Sequence, residues 1–233
     1  MLQLRYSKAV KSTSDKLNRN RMWAILHDKL LSILIPGLFS FSLLAVAIGT
    51  DYWYIIDVNK PNHTGPDDLS SHSGLWRINE GANRSSVIPS FTANTSSLSE
   101  AERHLLSLHR VVVIVFPLSL VLLVFGWIFG LVSSLACSPN LLAGSAFYCL
   151  FCSFFTLAGI CIYIKYSNQA MEEFQRVVSP ENLAYVDVSF GWSLATAWLS
   201  YSLEVATGLL LMLAARLSQM KGHYDSGVTI AML

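Results

Sequence analysis

Apolar and polar positions in this chain are sorted into blocks rather than mixed at a helical period. Leu30–Thr50, Val111–Ala136, Leu141–Ile164 and Trp192–Ala215 are each long and apolar enough to cross a hydrocarbon core of roughly 30 Å as a helix. The first three blocks contain no Asp, Glu, Lys or Arg; the fourth contains Glu204. The first block is too long for the apolar core of a signal peptide, and no small-residue cleavage site follows it before Asp51. It is expected to be an uncleaved first span.

The connectors follow the order long, short, medium: residues 51–110, Cys137–Asn140 and residues 165–189. In the long connector, Asp51–Val58 and Leu75–Asn79 are rich in aromatic and β-branched residues, and Tyr185–Ser189 in the third connector alternates like a strand. These three stretches predict a small sheet. Pro61–Ser71 and Ala82–Ser99 are dense in Asn, Ser, Thr, Gly and Pro, which predicts solvated turns. Ser99 followed three residues later by Glu102 is a capping-box pattern, so the second helix is expected to begin outside the bilayer.

Composition agrees with the block pattern. Of 233 residues, 53% are hydrophobic and 13% charged, with a mean hydropathy of +0.46, too apolar for an ordinary soluble domain. The net charge of +1 conceals an asymmetry. Arg5, Lys8, Lys11, Lys16, Arg19, Arg21 and Lys29 precede the first span, against Asp15 and Asp28, so residues 1–29 are expected in the cytoplasm. Residues 218–233 then lie there too. The glycosylation sequons at Asn62, Asn83 and Asn94 all fall in the long connector, which agrees with an extracellular or lumenal position for it. The basic tail could also lie on anionic lipid.

Glu204 is the costliest residue. A central acidic group in a span is disfavoured by roughly 2.5–3.5 kcal/mol on translocon scales, so it should face the bundle or a partner. Ser200 and Tyr201 precede it, and Thr207 and Gly208 follow it, at helical spacing, which makes a polar, small-residue face. Two readings stand: a protonated carboxyl hydrogen-bonded to its helix neighbours, or a contact to a partner channel's membrane helix. Gly126 and Gly130 form a small-xxx-small motif, with Gly144, Gly159 and Gly208 in other spans, suited to packing within the bundle, with a face for self-association as the alternative. Cys149 and Cys152 have CxxC spacing but lie within an apolar span, where redox or metal chemistry has poor access. Cys137 is a candidate for palmitoylation. His63, His72, His104 and His109 lack the i, i+4 spacing of a metal site and are expected to be solvated. The C-terminal Leu233 suits a PDZ groove, but Ala231 fits neither main ligand class well. No nucleophile elbow, zinc-protease motif, phosphate loop or basic-aromatic surface is present, so neither an enzyme, a small-molecule substrate, a cofactor nor nucleic acid is expected.

Trp53 after the first span, Gly74-Leu75-Trp76 in the long connector, and Phe190-Gly191-Trp192-Ser193 at the fourth span resemble the claudin, peripheral myelin protein and calcium-channel gamma subunit superfamily. A closer likeness to one of its small branches rests on Asp51-Tyr52-Trp53-Tyr54-Ile55, Ser71–Arg77, Phe116–Leu120 and Thr156-Leu157-Ala158-Gly159. The likeness covers residues 30–217. It implies a membrane all-α fold: a left-handed bundle of four transmembrane helices with a small extracellular antiparallel β-sheet, four strands from the first loop and one from the second. It implies no catalysis. Where the family usually has a cysteine after Gly-Leu-Trp, this chain has Asn79, and no cysteine lies between Asp51 and Arg110, so the loop disulfide is missing at both ends.

Two functions compete. One is an auxiliary or regulatory subunit acting in cis on a channel or receptor in the plasma membrane, with Glu204 and Trp192 as contact candidates. The other is a claudin-like structural protein at cell contacts, apical or junctional. Sequons on the loop and the absent disulfide weigh against tight membrane apposition. A pore or transporter lacks the paired intramembrane charges expected of a substrate path.

Overall fold

The computed structural model describes residues 35–58, 70–80, 84–88, 91, 99–136, 138–177 and 185–231. Four helices are present among them: α1 (Ile35–Gly49), α2 (Glu100–Leu135), α3 (Pro139–Val177) and α4 (Trp192–Ala231). The three longer ones exceed the length needed to span a bilayer, and only 28–33% of their most apolar windows is buried. The remainder faces outward as Ile114, Leu118, Val121 and Phe125 on α2, Phe147, Phe151 and Phe154 on α3, and Leu209, Leu210 and Leu213 on α4. Helices apolar on their outer faces belong in lipid.

Each boundary has a local cause. Ser99 Oγ accepts from the Glu102 N–H at 3.3 Å, and Glu102 Oε2 accepts from the Ser99 N–H at 2.9 Å, so the capping box starts α2 at Glu100. That start lies eleven residues before Val111, about 16 Å of helix beyond the apolar block. Pro139 occupies the first turn of α3, where its missing N–H costs nothing, and the Leu142 N–H returns to the Ser138 carbonyl at 3.0 Å. From Ile160 to Val177 no glycine or proline interrupts the chain, and Glu173 pairs with Arg176 at 2.9 Å. Much of the stretch expected as a loop after Ile164 is therefore helix, and α4 likewise continues past Ala215.

The strands are β1 (Tyr54–Val58), β2 (Ser71–Ser73), β3 (Arg77–Glu80), β4 (Arg84–Val87) and β5 (Val186–Phe190), ordered β4-β3-β2-β1-β5 and antiparallel throughout. Four come from the first connector and one from the second. β1, β3 and β5 overlap the stretches expected from side-chain pattern. β2 and β4 do not: Ser71-His72-Ser73 and Arg84–Val87 fall at or within stretches expected as turns. They are short and polar, held by backbone pairing, which leaves no apolar alternation in the sequence.

The main core lies where the sheet meets the bundle. Trp53, Leu75, Leu44, Val112, Phe116, Ile160, Tyr163, Leu194 and Ala197 form one buried cluster. Trp53 sits at its centre, 5.1 Å from the Phe116 ring and 4.6 Å from that of Tyr163.

Candidate functional site

Two constructions stand out, one at the sheet end of the bundle and one within the membrane. At the sheet end, α1 stops with carbonyls that have no following turn to bond. Thr50 Oγ1 donates to Val46 O at 2.7 Å, Trp53 Nε1 to Ala47 O at 2.7 Å, and Trp76 Nε1 to Ile48 O at 2.9 Å. The Val46, Ala47 and Ile48 carbonyls thus each accept a side-chain donor, and the donors to Ala47 and Ile48 are indoles from different parts of the first connector. Trp53 is fully buried, whereas Trp76 remains 40% exposed.

The glycines beside these tryptophans have steric causes. A Cβ on Gly74 would collide with Asp51 Oδ1 and lie 2.6 Å from its Cα. One on Gly191 would collide with the Tyr52 carbonyl oxygen. That approach lets the Gly191 N–H reach Trp53 O at 3.0 Å and the Ser193 N–H reach Tyr52 O at 3.1 Å, stitching the start of α4 to the entry of β1. Leu75, between Gly74 and Trp76, is fully buried. Trp192 is half-exposed and stacks with Tyr52 at 5.9 Å, which in turn stacks on His72 at 4.4 Å.

Within the membrane, Glu204 is turned inward and is 5% exposed. Thr156 Oγ1 donates to its Oε2 at 2.9 Å and lies 3.3 Å from its Oε1; Ser200 Oγ reaches Oε1 at 3.2 Å. Ser119 Oγ lies 2.6 Å from Thr156 Oγ1, and Ser40 Oγ lies 2.9 Å from Ser200 Oγ. With Thr156 giving its proton to Glu204, Ser119 gives its own to Thr156. One network therefore joins Ser40 of α1, Ser119 of α2, Thr156 of α3 and Ser200 and Glu204 of α4. In lipid such hydroxyls bond one another because hydrocarbon offers no alternative.

Nothing in the sequence linked Ser40, Ser119 or Thr156 to Glu204, since a lone Ser or Thr in an apolar span usually bonds its own helix. The only clue was that Glu204 needed partners. The carboxyl is turned into the bundle, away from the outer helix faces. Of its predicted face, Ser200 bonds it, Thr207 Oγ1 donates back to Leu203 O at 2.7 Å, and Gly208 meets Leu150 so closely that a Cβ there would lie 2.9 Å from the leucine side chain. Gly126 and Gly130 are buried on α2, and a Cβ on Gly126 would lie 3.1 Å from the Tyr148 ring.

The histidine expectation needs correction at two positions. His109 is buried, bonds the backbone of Leu75 and lies 5.2 Å from the Tyr166 ring, because the sheet loop closes over the projecting start of α2. His72 is half-buried on Tyr52, with Nε2 3.1 Å from Asn79 Nδ2 across the β2–β3 pair. Asn62, Asn83, Asn94 and Cys137 lie outside the described residues.

Residues 38–213 match the family model described as PMP-22/EMP/MP20/Claudin tight junction. The chain belongs to the PMP-22/EMP/MP20/claudin family. Within this family, it is 28% identical over 178 residues to proteins named voltage-dependent calcium channel gamma-5 subunit, from Homo sapiens and Mus musculus. That alignment covers 72% of this chain and 63% of each relative, so the chain matches less than two thirds of their length. The family match takes in the sheet, α2, α3, most of α1 and the first half of α4, and includes both tryptophan–glycine junctions and Glu204.

Proposed function

We propose that this claudin-family protein is a non-enzymatic auxiliary or regulatory subunit acting in cis on a channel or receptor. It resides in the plasma membrane with both tails cytoplasmic and the sheet outside the cell. The observation that carries this reading is the similarity to the calcium channel gamma-5 subunits over 72% of the chain. The outward faces support it. Phe147, Phe151 and Phe154 on α3 and Leu209, Leu210 and Leu213 on α4 offer apolar surface to a neighbouring helix, and Trp192 marks its outer end. Glu204 serves that contact indirectly, by holding the four helices in the arrangement that presents these faces.

Proximity cross-linking from the tagged chain in mammalian cells tests the reading, with cells grown isolated and in contact. A channel or receptor is expected among the dominant neighbours of isolated cells. Neighbours found only at cell contacts would replace this reading with a claudin-like junctional one. Glycosidase digestion of the same preparation tests orientation: each of Asn62→Gln, Asn83→Gln and Asn94→Gln is expected to remove one step of glycosidase-sensitive mass. A chain without such mass would remove the support for an external sheet.

A further inference from the structure

β5 pairs with β1 alone, and in the order β4-β3-β2-β1-β5 its other side meets no described strand. The Gly191 N–H bonds Trp53 O, so the alternation of an antiparallel ladder makes Ile55/Ser189 and Asp57/Asp187 the hydrogen-bonded pairs. The backbone N–H and C=O groups of Val186, Val188 and Phe190 therefore point away from β1, along the open side. Edge strands are usually blunted by a lysine, a proline or a bulge. β5, with the sequence Val-Asp-Val-Ser-Phe and an unbroken register, has none of these.

The two faces at this edge differ in chemistry. Towards α3, Val188 and Phe190 form with Tyr54 one wall of a cleft of about 420 Å³, and Met171, Glu172 and Gln175 form the other. On the opposite face Asp57 and Asp187 stand directly across from one another, both exposed, and neither makes an ion pair among the described residues. Like charges in that position destabilise a strand pair, and a cation beside them would offset the repulsion.

We propose that the β5 edge docks an extended segment from the extracellular part of a partner, added antiparallel as a sixth strand, with apolar side chains in the cleft and a lysine or arginine beside Asp57 and Asp187. Partner residues opposite Val186, Val188 and Phe190 would exchange both backbone bonds with them. The residue opposite Asp187 would fall in a non-hydrogen-bonded pair, where side chains come closest, so its charge is read most directly. A channel or receptor as the source of the strand rests on the auxiliary-subunit reading; the docking chemistry does not.

The test uses the full chain in lipid nanodiscs holding one copy, with the end-blocked peptide Val-Lys-Val-Lys-Val as probe. The peptide is expected to slow hydrogen exchange over residues 185–191. Its counterpart with glutamate in place of both lysines is expected to bind at least about tenfold more weakly, because like charges would meet. N-methylating the central valine removes a donor from the pairing side and is expected to abolish binding. Val188→Pro should do the same while keeping the pairing with β1, since the Val188 N–H points outward. Asp57→Lys with Asp187→Lys should reverse the preference between the two peptides. Unchanged exchange at millimolar lysine peptide, or equal binding of the lysine and glutamate peptides to the wild-type chain, overturns the proposal, and neither result depends on a variant folding. Slow exchange over residues 185–191 without peptide, in nanodiscs holding two copies but not in those holding one, would give the edge to a second copy instead. Each of these outcomes leaves the cross-linking test of the auxiliary-subunit reading standing, so the two can fail separately.

Discussion

The indole N–H of Trp53 donates to the carbonyl of Ala47 at 2.7 Å, six residues back along the chain. This bond ends α1 and begins the sheet in one step. The residue leaving the membrane turns back, closes the helix it has left and fills the core between Phe116 and Tyr163. Trp53→Phe keeps most of the volume but leaves a buried carbonyl with only the long 3.3 Å contact from Thr50. A loss of about 1–3 kcal/mol is expected, against about 0.5–1.5 kcal/mol for Trp76→Phe at the more exposed neighbouring cap. Thermal unfolding of the purified protein in detergent measures both, and equal losses would contradict the burial argument.

Gly191→Ala is expected to prevent accumulation of folded protein. Its methyl group meets the backbone oxygen of Tyr52, which no rotamer change can move. Gly144→Ala is the matched control, because nothing lies within 4 Å of its Cβ position. There the helix propensity of alanine should leave stability unchanged or raise it by about 0.5–1 kcal/mol. Size-exclusion profiles of the two variants separate these outcomes.

The bond between Thr156 and Glu204 predicts energetic coupling across α3 and α4. Thr156→Val should cost about 0.6 kcal/mol, the average for hydrogen bonds between membrane helices, and at most about 1.7 kcal/mol. In a double-mutant cycle with Glu204→Leu, the second substitution should cost less once the first is made. Denaturant titration in bicelles reads the cycle. Strict additivity would show that the two side chains act independently.

Asn79 and Ser85 stand opposite one another on β3 and β4. The Ile88 N–H bonds Trp76 O at 3.0 Å, so the alternation of an antiparallel ladder makes Asn79/Ser85 a non-hydrogen-bonded pair, the kind with the closer side chains. Asn79→Cys with Ser85→Cys should therefore oxidise readily, whereas Ile78→Cys with Ser86→Cys, in the hydrogen-bonded position, should do so poorly. Closing this short loop is expected to add about 2 kcal/mol. Mass spectrometry under non-reducing conditions reports the bond, and melting with and without reductant reports its effect.

Much of this protein was legible from residue order. Four apolar blocks announced four helices because a span needs about 20 apolar residues whatever surrounds it. Ser99 and Glu102 gave the start of α2 because a capping box is local chemistry. Trp53, Gly74, Trp76 and Gly191 could be singled out as a motif, but not explained. Their reasons are distances between segments far apart in sequence, such as Trp76 with Ile48 and Gly191 with Tyr52.

β2 and β4 were hidden for a related reason: their polar side chains do not alternate, and only their partner strands make them strands. The need for a partner at Glu204 followed from sequence alone, because a lone carboxyl in hydrocarbon is expensive wherever it sits. Which hydroxyls meet it, from Ser40 to Thr156, was decided only by the packing of four helices. Short polar side chains carry no signal of their direction until the backbone of another helix is set beside them.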